Sequence, residues 1–370
     1  MKFSTSKTEL LQALQKVSKA SPTRSTLPIL SCVLVDATEN RTTLRATDLE
    51  LTIQVVISVS LEMAGSIALP LKTLMDITNE LPETRLTLTV DEKNKLEIQT
   101  ESGTYDLMGK PAIEFPEMPE NAKTGSIQVD SKALKNTIET TLFAVSKDEL
   151  KPALSGVLFR FSSSVLIAVS TDGHRLVKHT QKNIDEPNYQ GDIIIPRKFL
   201  SFLSTQLRSG TLTLEIGDTH LTATIHDDMI LTRLIDEKFP DYENVIPKDN
   251  ENVLTVDKKL FLGAIKRVSI FSNKSTHQIA LKLSSDSSKI TTEDPEQSSK
   301  AQEKIVGEYF GEKLEIGYNS EYLKDVVQHV KGNKIVVRLN TPISAALFSP
   351  ESNEETSDSL MLLMPIRLND

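Results

Sequence analysis

The sequence has no tryptophan, a single cysteine and only 5% aromatic residues in a chain of 370. One cysteine excludes any disulfide within the chain. Cys32 lies in the apolar run Pro28-Ile29-Leu30-Ser31-Cys32-Val33-Leu34-Val35, where a buried, inert thiol is expected. So few aromatics leave no strand face on which successive bases of a single strand could stack. No apolar run approaches the length needed to span a bilayer, and Met1-Lys2-Phe3-Ser4-Thr5 offers no apolar signal segment, so a cytoplasmic protein away from membranes is expected.

Catalytic signatures are also missing. There is no phosphate-binding G-x-x-x-x-G-K-[ST] loop and no H-E-x-x-H pair. Of six histidines only His174 and His179 lie close, five residues apart, so no metal site is expected. Basic residues are outnumbered, 42 Lys or Arg against 51 Asp or Glu. A net charge of -9 argues, taken alone, against a nucleic-acid partner.

What is present is repetition. The strand-like run Val165-Leu166-Ile167-Ala168-Val169 leads into Ser170-Thr171-Asp172-Gly173-His174-Arg175-Leu176. Leu44-Arg45-Ala46-Thr47-Asp48-Leu49-Glu50-Leu51 has the same grammar, and Ile290-Thr291-Thr292-Glu293-Asp294 has a weaker version. The spacing of about 120 residues is that of a compact domain and too long for a solenoid. Three copies of one domain are therefore expected, at 1–123, 124–250 and 251–370.

Each copy has two helical windows with apolar residues on one face, at 8–20 and 71–81, 131–142 and 197–208, 257–269 and 320–331. Pro70 and Pro196 precede the second helix of the first two copies, as suits a helix start. Between helices the pattern switches to period two. Arg85-Leu86-Thr87-Leu88-Thr89-Val90 and Lys95-Leu96-Glu97-Ile98-Gln99-Thr100, joined by a polar turn, predict an antiparallel hairpin with one wet face. The class is α+β. Near the chain end, Leu360-Met361-Leu362-Leu363-Met364-Pro365-Ile366 is apolar where ends tend to be polar; Pro365 cannot join a ladder, so a core strand that then leaves the sheet is expected.

Ser170, Asp172 and His174 are the residue types of a nucleophilic triad. A triad gathers its members from separate loops, whereas alternate residues of one extended segment share a face without meeting. A turn that buttresses a binding surface is the better reading.

Charge is segregated. The six helical windows hold fourteen Lys or Arg (positions 16, 19, 72, 132, 135, 197, 198, 208, 258, 259, 266, 267, 324 and 331) against seven Asp or Glu. The helices thus carry +7 and the remainder -16. If the helices share a face, that face has the footprint of phosphate-backbone binding on an acidic protein. No recognition helix or zinc-finger spacing suggests base readout, which leaves sequence-indifferent contact with duplex.

Met1-Lys2-Phe3, Leu27-Pro28-Ile29-Leu30, Thr47-Asp48-Leu49-Glu50, Thr171-Asp172-Gly173-His174-Arg175-Leu176, Ile195-Pro196-Arg197-Lys198, Phe239-Pro240-Asp241-Tyr242 and Met364-Pro365-Ile366-Arg367-Leu368 together resemble the beta sliding clamps of bacterial DNA polymerase III. The resemblance runs from end to end. It implies a DNA clamp fold of three similar domains, each with two helices and antiparallel sheets, closed as a head-to-tail homodimer into a ring around duplex DNA. The implied function is to tether the polymerase III catalytic subunit, the clamp loader and other polymerases and repair proteins, with no enzymatic step and no cofactor.

Carried over residue by residue, the resemblance implies DNA contacts at Arg24, Lys72, Lys151, Arg197 and Lys198. It implies a partner-peptide pocket at Leu154, Thr171, Gly173, His174, Arg175, Leu176, Pro240, Val245, Tyr322, Leu362, Met364, Pro365 and Ile366. At the ring interface it implies Ile270 and Phe271. The chain departs from the family in three places. Lys151 is followed by Pro152-Ala153 and not by aromatics, 298–303 is mixed in charge and not acidic, and Asn369-Asp370 extends the end. An enzyme and a three-domain adhesion array are the competing readings, and neither accounts for the basic helices or the apolar chain end.

Overall fold

The structure, a computed structural model, describes residues 1–39, 41–119, 122–185 and 188–368. Six helices are present among them: α1 (Lys7–Val17), α2 (Leu71–Glu80), α3 (Ser131–Thr141), α4 (Arg197–Gln206), α5 (Lys258–Ser269) and α6 (Ser320–His329). Five fall within the predicted windows, and α1 begins one residue before its window of 8–20. Most end a residue or more early, as helix termini fray.

The first helix of each repeat follows its strand without a loop, because the last strand residue is itself the cap. Ser6 accepts from the backbone N–H of Glu9, Asp130 from those of Lys132 and Ala133, and Asp257 from that of Leu260. The second helices of the first two repeats start behind Pro70 and Pro196, which close the strands Gly65–Pro70 and Gly191–Pro196. There the third repeat differs, with Asn319 capping α6.

Contacts divide the chain into two compact units. One comprises Met1–Val129 with Ser201–Leu234, the other Asp130–Leu200 with Ile235–Asp370. Each unit holds a nine-stranded antiparallel sheet and a smaller one. In the first unit, Leu51–Ile57 pairs with Asp228–Arg233, placing Ile53 opposite Ile230. In the second, Arg175–Lys182 pairs with Ser357–Leu363, placing Leu176 opposite Leu362. These two seams join strands from successive repeats, so the middle repeat contributes sheet to both units.

Under the sheets lie the helices' apolar faces. α1 buries Leu10, Leu14 and Val17; in the second unit Phe261, Ile265 and Val268 of α5 and Leu323, Val326 and Val327 of α6 pack with Ile279, Leu281, Ile316 and Tyr318. Burial of each such side chain contributes about 1.5 to 3 kcal/mol. Cys32 is buried as expected, and burial raises its thiol pKa. The last strand ends at Leu363, before Pro365, and the chain then crosses to Gly317, whose carbonyl accepts from the N–H of Ile366 at 2.9 Å. A Cβ at Gly317 would lie 2.7 Å from the Ile366 carbonyl oxygen, a backbone atom held by this same pairing, so the crossing requires glycine.

His179 is fully buried on the second seam, its Nδ1 2.8 Å from Ser359 Oγ. Burial, reinforced by the charge of Lys331 and opposed by Glu354 and Asp358, pushes its pKa down to about 4. Between pH 6.5 and 4 the unfolded chain therefore takes up a proton that the folded chain refuses. Stability should fall with pH across that window by about 1.4 kcal/mol per unit. Urea unfolding at pH 7 and pH 5 checks this, and His179→Gln should flatten the slope relative to the unmodified chain.

Candidate functional site

The predicted turn is built by its own side chains. Asp172 Oδ1 accepts from the N–H groups of His174 at 2.9 Å and Arg175 at 3.0 Å, and Thr171 Oγ1 accepts from Gly173 N–H at 3.1 Å. Gly173 has φ +92, in the left-handed region that glycine enters without strain. Repeat one makes the same turn: Asp48 Oδ1 accepts from Glu50 and Leu51, Thr47 Oγ1 from Leu49, and Leu49 takes φ +78. In repeat three Asp294 accepts from Glu296 N–H, but the hairpin closes later, with Asp294 opposite Ser299.

Ser170, Asp172 and His174 are engaged separately. Ser170 is buried and donates to the Thr141 carbonyl at 2.6 Å, Asp172 is held by the turn, and His174 stacks on Tyr322 with ring centroids 5.4 Å apart.

Arg175 is the fixed point of the site. Its guanidinium donates to Asp172 Oδ2 at 3.1 Å, to Asp325 Oδ2 at 2.7 Å and to the Phe143 carbonyl at 3.0 Å. It also lies over the rings of Phe143, at 5.2 Å, and Tyr322, at 4.8 Å. One buried cation thus ties the turn to α6 and to the segment after α3. A planar five-donor group can make these contacts together, and a lysine could not.

Beside this anchor is an apolar surface. Leu176 and Leu362 face each other across the seam and pack with Leu154, Phe239, Tyr242 and Leu347. Met364 donates its N–H to the His174 carbonyl at 2.8 Å, which brings the chain end against the turn and leaves its side chain 41% exposed. Val245 is 53% exposed, and Pro240 is exposed between the buried rings of Phe239 and Tyr242. Pro365 and Ile366 lead away to the strand Leu314–Asn319, and Asn369-Asp370 lie outside the described residues. Sequence reasoning missed Phe143 and Asp325. Each lies far along the chain from the turn it supports.

Repeat one surrounds its matching turn differently. Two residues before the Thr, repeat two has Val169 in the apolar cluster and repeat one has Arg45. Arg45 lies over Phe115 and donates to the Pro116 carbonyl at 3.3 Å, and burial lowers its pKa.

The basic residues are dispersed. Arg24 is exposed after α1, Lys72 is the second residue of α2, Arg197 and Lys198 open α4, and Lys151 Nζ is 3.9 Å from Asp148 Oδ2. Within the observed helix bounds twelve Lys or Arg stand against six Asp or Glu. Five of the six helices have Lys or Arg among their first two residues, next to the positive end of the helix dipole, where a cation is disfavoured by about 0.3 to 1 kcal/mol. Ile270 and Phe271, just past α5, are exposed, and Ser299 Oγ donates to the Phe271 carbonyl at 3.2 Å.

Comparison with known proteins covers the whole chain. Family models described as the N-terminal, central and C-terminal domains of the DNA polymerase III beta subunit match residues 1–119, 128–241 and 243–367. The beta sliding clamp of Pseudomonas putida is 34% identical over 374 residues, and that of Vibrio cholerae 29% over 373, each covering both chains fully. Among solved structures, the Pseudomonas aeruginosa clamp bound to griselimycin superposes with a TM-score of 0.92 at 31% identity, and the Bacillus subtilis clamp with 0.94 at 28%, again over both chains in full. Fold, repeats and matches define a sliding clamp, a processivity factor of DNA replication and not an enzyme. The chain belongs to the DNA polymerase III beta subunit family.

Removing the Arg175 side chain would leave the turn's own backbone bonds and cut its ties to α6 and to the segment after α3. Arg175→Ala should cost about 1.5 to 3 kcal/mol in denaturant unfolding, and Arg175→Lys should recover only part of the loss.

Proposed function

We propose that two copies of the chain close head to tail into a ring around duplex DNA, and that the surface beside Arg175 tethers partner proteins through short apolar peptides. The carrying observation is the equivalence of strands between repeats. Leu51–Ile57, Arg175–Lys182 and Ser299–Lys304 each end the meander that precedes the second helix. Thr104–Met108, Asp228–Arg233 and Ser357–Leu363 each end the meander that follows it. Two pairs from these sets form the seams, which leaves Ser299–Lys304 and Thr104–Met108 at the ends of their sheets.

An open edge of this kind is a template for another strand. Pairing Ser299–Lys304 of one copy with Thr104–Met108 of the next would repeat the two internal seams, and such a heterologous contact closes when its rotation allows. The exposed Ile270 and Phe271 stand by the first edge, and Met108, 64% exposed, lies on the second. On this reading the repeats 1–123, 124–250 and 251–370 are three domains per copy and six per ring.

Arg24, Lys72, Lys151, Arg197 and Lys198 would contact phosphates. Cations placed against the dipole of five helices support this, since their cost in stability calls for an anion that offsets it. Leu176, Pro240, Val245, Leu362 and Met364 would receive peptide anchors, framed by His174 and Tyr322. The polymerase III catalytic subunit, the clamp loader and other polymerases and repair proteins would share this site in turn. No described helix is long and apolar enough to cross a membrane, and a cytoplasmic location fits such partners.

Two experiments test the reading. A closed DNA circle should retain the protein through salt that abolishes ordinary phosphate contacts and lose it on linearisation, and a chain carrying Ile270→Glu and Phe271→Glu should be monomeric and not retained. Equal loss from circles and linear DNA would reject the ring. Deleting residues 364–370 should abolish binding of the polymerase while the particle keeps the mass of a dimer. Normal polymerase binding by that truncation would reject the pocket.

A further inference from the structure

The first unit contains a cleft of about 270 Å³, on the helix side of the seam between Leu51–Ile57 and Asp228–Arg233. Its walls are apolar, from Ile53, Val55, Ile225 and Ile230 of the sheet and Phe202 of α4. Its polar residues are Lys16 near the end of α1, Gln206 and Arg208 at the end of α4, His226 in a turn at φ +55, and Asp228. None of these belongs to the contacts proposed above.

Charge within the cleft is unevenly committed. Asp228 Oδ2 pairs with Lys16 Nζ at 2.7 Å, and its Oδ1 accepts from the Val56 N–H at 3.1 Å, so this acid and Lys16 neutralise each other and fix α1 to the strand. Arg208 is exposed and has no acidic partner among the described residues. The cleft therefore offers apolar walls, one amide whose Nε2 also donates to Thr205 Oγ1 at 2.8 Å, and one free guanidinium.

We infer that this cleft takes a single unstacked nucleotide of a DNA strand, its base between Phe202 and the branched side chains and its phosphate on Arg208. A nucleobase has a π-face for the apolar walls and polar edges for Gln206, and guanidinium matches a phosphate bidentately. The volume is at the small end of ligand pockets, which begin at roughly 300 Å³, and admits one such unit and not a stretch of strand. With Asp228 and Lys16 paired to each other, Arg208 is the one uncommitted charge of the cleft, which suits a phosphodiester with one charge. Duplex keeps its bases stacked, so the ligand is an unpaired strand passing the helix face. This rests on the reading of that face as the DNA side, and it gives a chain poor in aromatics one place for a single base.

The test uses the full chain and an oligothymidylate with one 5-iodouracil, irradiated and mapped by mass spectrometry. An adduct is expected on the peptide containing Phe202 or His226, with duplex of the same length giving none and thymidine monophosphate at equal nucleotide concentration failing to compete. Arg208→Gln should lower the yield about tenfold, the scale of one charged hydrogen bond, while particle mass and thermal midpoint stay unchanged. Adducts only elsewhere, an Arg208→Gln yield equal to that of the unmodified chain, equal labelling by duplex, or full competition by the mononucleotide would each overturn the proposal. Retention of the unmodified chain on closed circles, measured on the same preparation, reports on the ring separately from the cleft.

Discussion

Edge-to-edge pairing of strands is the constraint on which the rest of the structure depends. A meander ends in a row of unpaired N–H and C=O groups, and a protein must bury, pair or blunt them. This chain pairs two such edges internally, Leu51–Ile57 with Asp228–Arg233 and Arg175–Lys182 with Ser357–Leu363. Each seam fuses sheet from neighbouring repeats, which is why contacts divide the chain into two units and not at the repeat boundaries. The third copy of the joint has its two halves at separate sheet ends. In the proposed ring that third joint would be made between copies.

The same economy governs the binding surface. Repeats one and two share a turn down to its hydrogen bonds. The difference lies in what surrounds the turn. Repeat two has Val169 where repeat one has Arg45, Met364 N–H bonds back to the His174 carbonyl, and Arg175 stands in place of Leu51 and ties the turn to α6. Positive φ at Leu49, where repeat two has Gly173, shows that the backbone of the turn is kept even where its residue suits it poorly.

Much of this was legible in the sequence for a local reason. Helix windows follow from apolar spacing within a dozen residues, the repeat from a Thr-Asp step whose bonds span three residues, and the exit of the chain end from one proline. The seams were not legible, because any of several alternating strands could pair with any other until the whole sheet is assembled. His179 illustrates the same limit: its partner Ser359 lies 180 residues away. Arg175 was singled out by family resemblance, while Phe143 and Asp325, which hold it, carried no local signal. The basic bias of the helices survived into the structure with shorter bounds, because it is a property of composition and not of pairing.

That bias also explains how a protein of net charge -9 can handle DNA. Phosphate contacts made one lysine or arginine at a time are weak, screened by salt and blind to sequence, and affinity built from them would be poor at physiological ionic strength. A ring has no need of high affinity, since closure and not contact prevents escape. Weak, interchangeable contacts then become an advantage, because a strong site would hold the protein at one place on the duplex. Acidic residues are outnumbered two to one on the helices, and cations set against the helix dipoles would favour a phosphate there. A modest surplus of positive charge on the helices is thus compatible with sliding: in the proposed ring it would orient the duplex without stopping it.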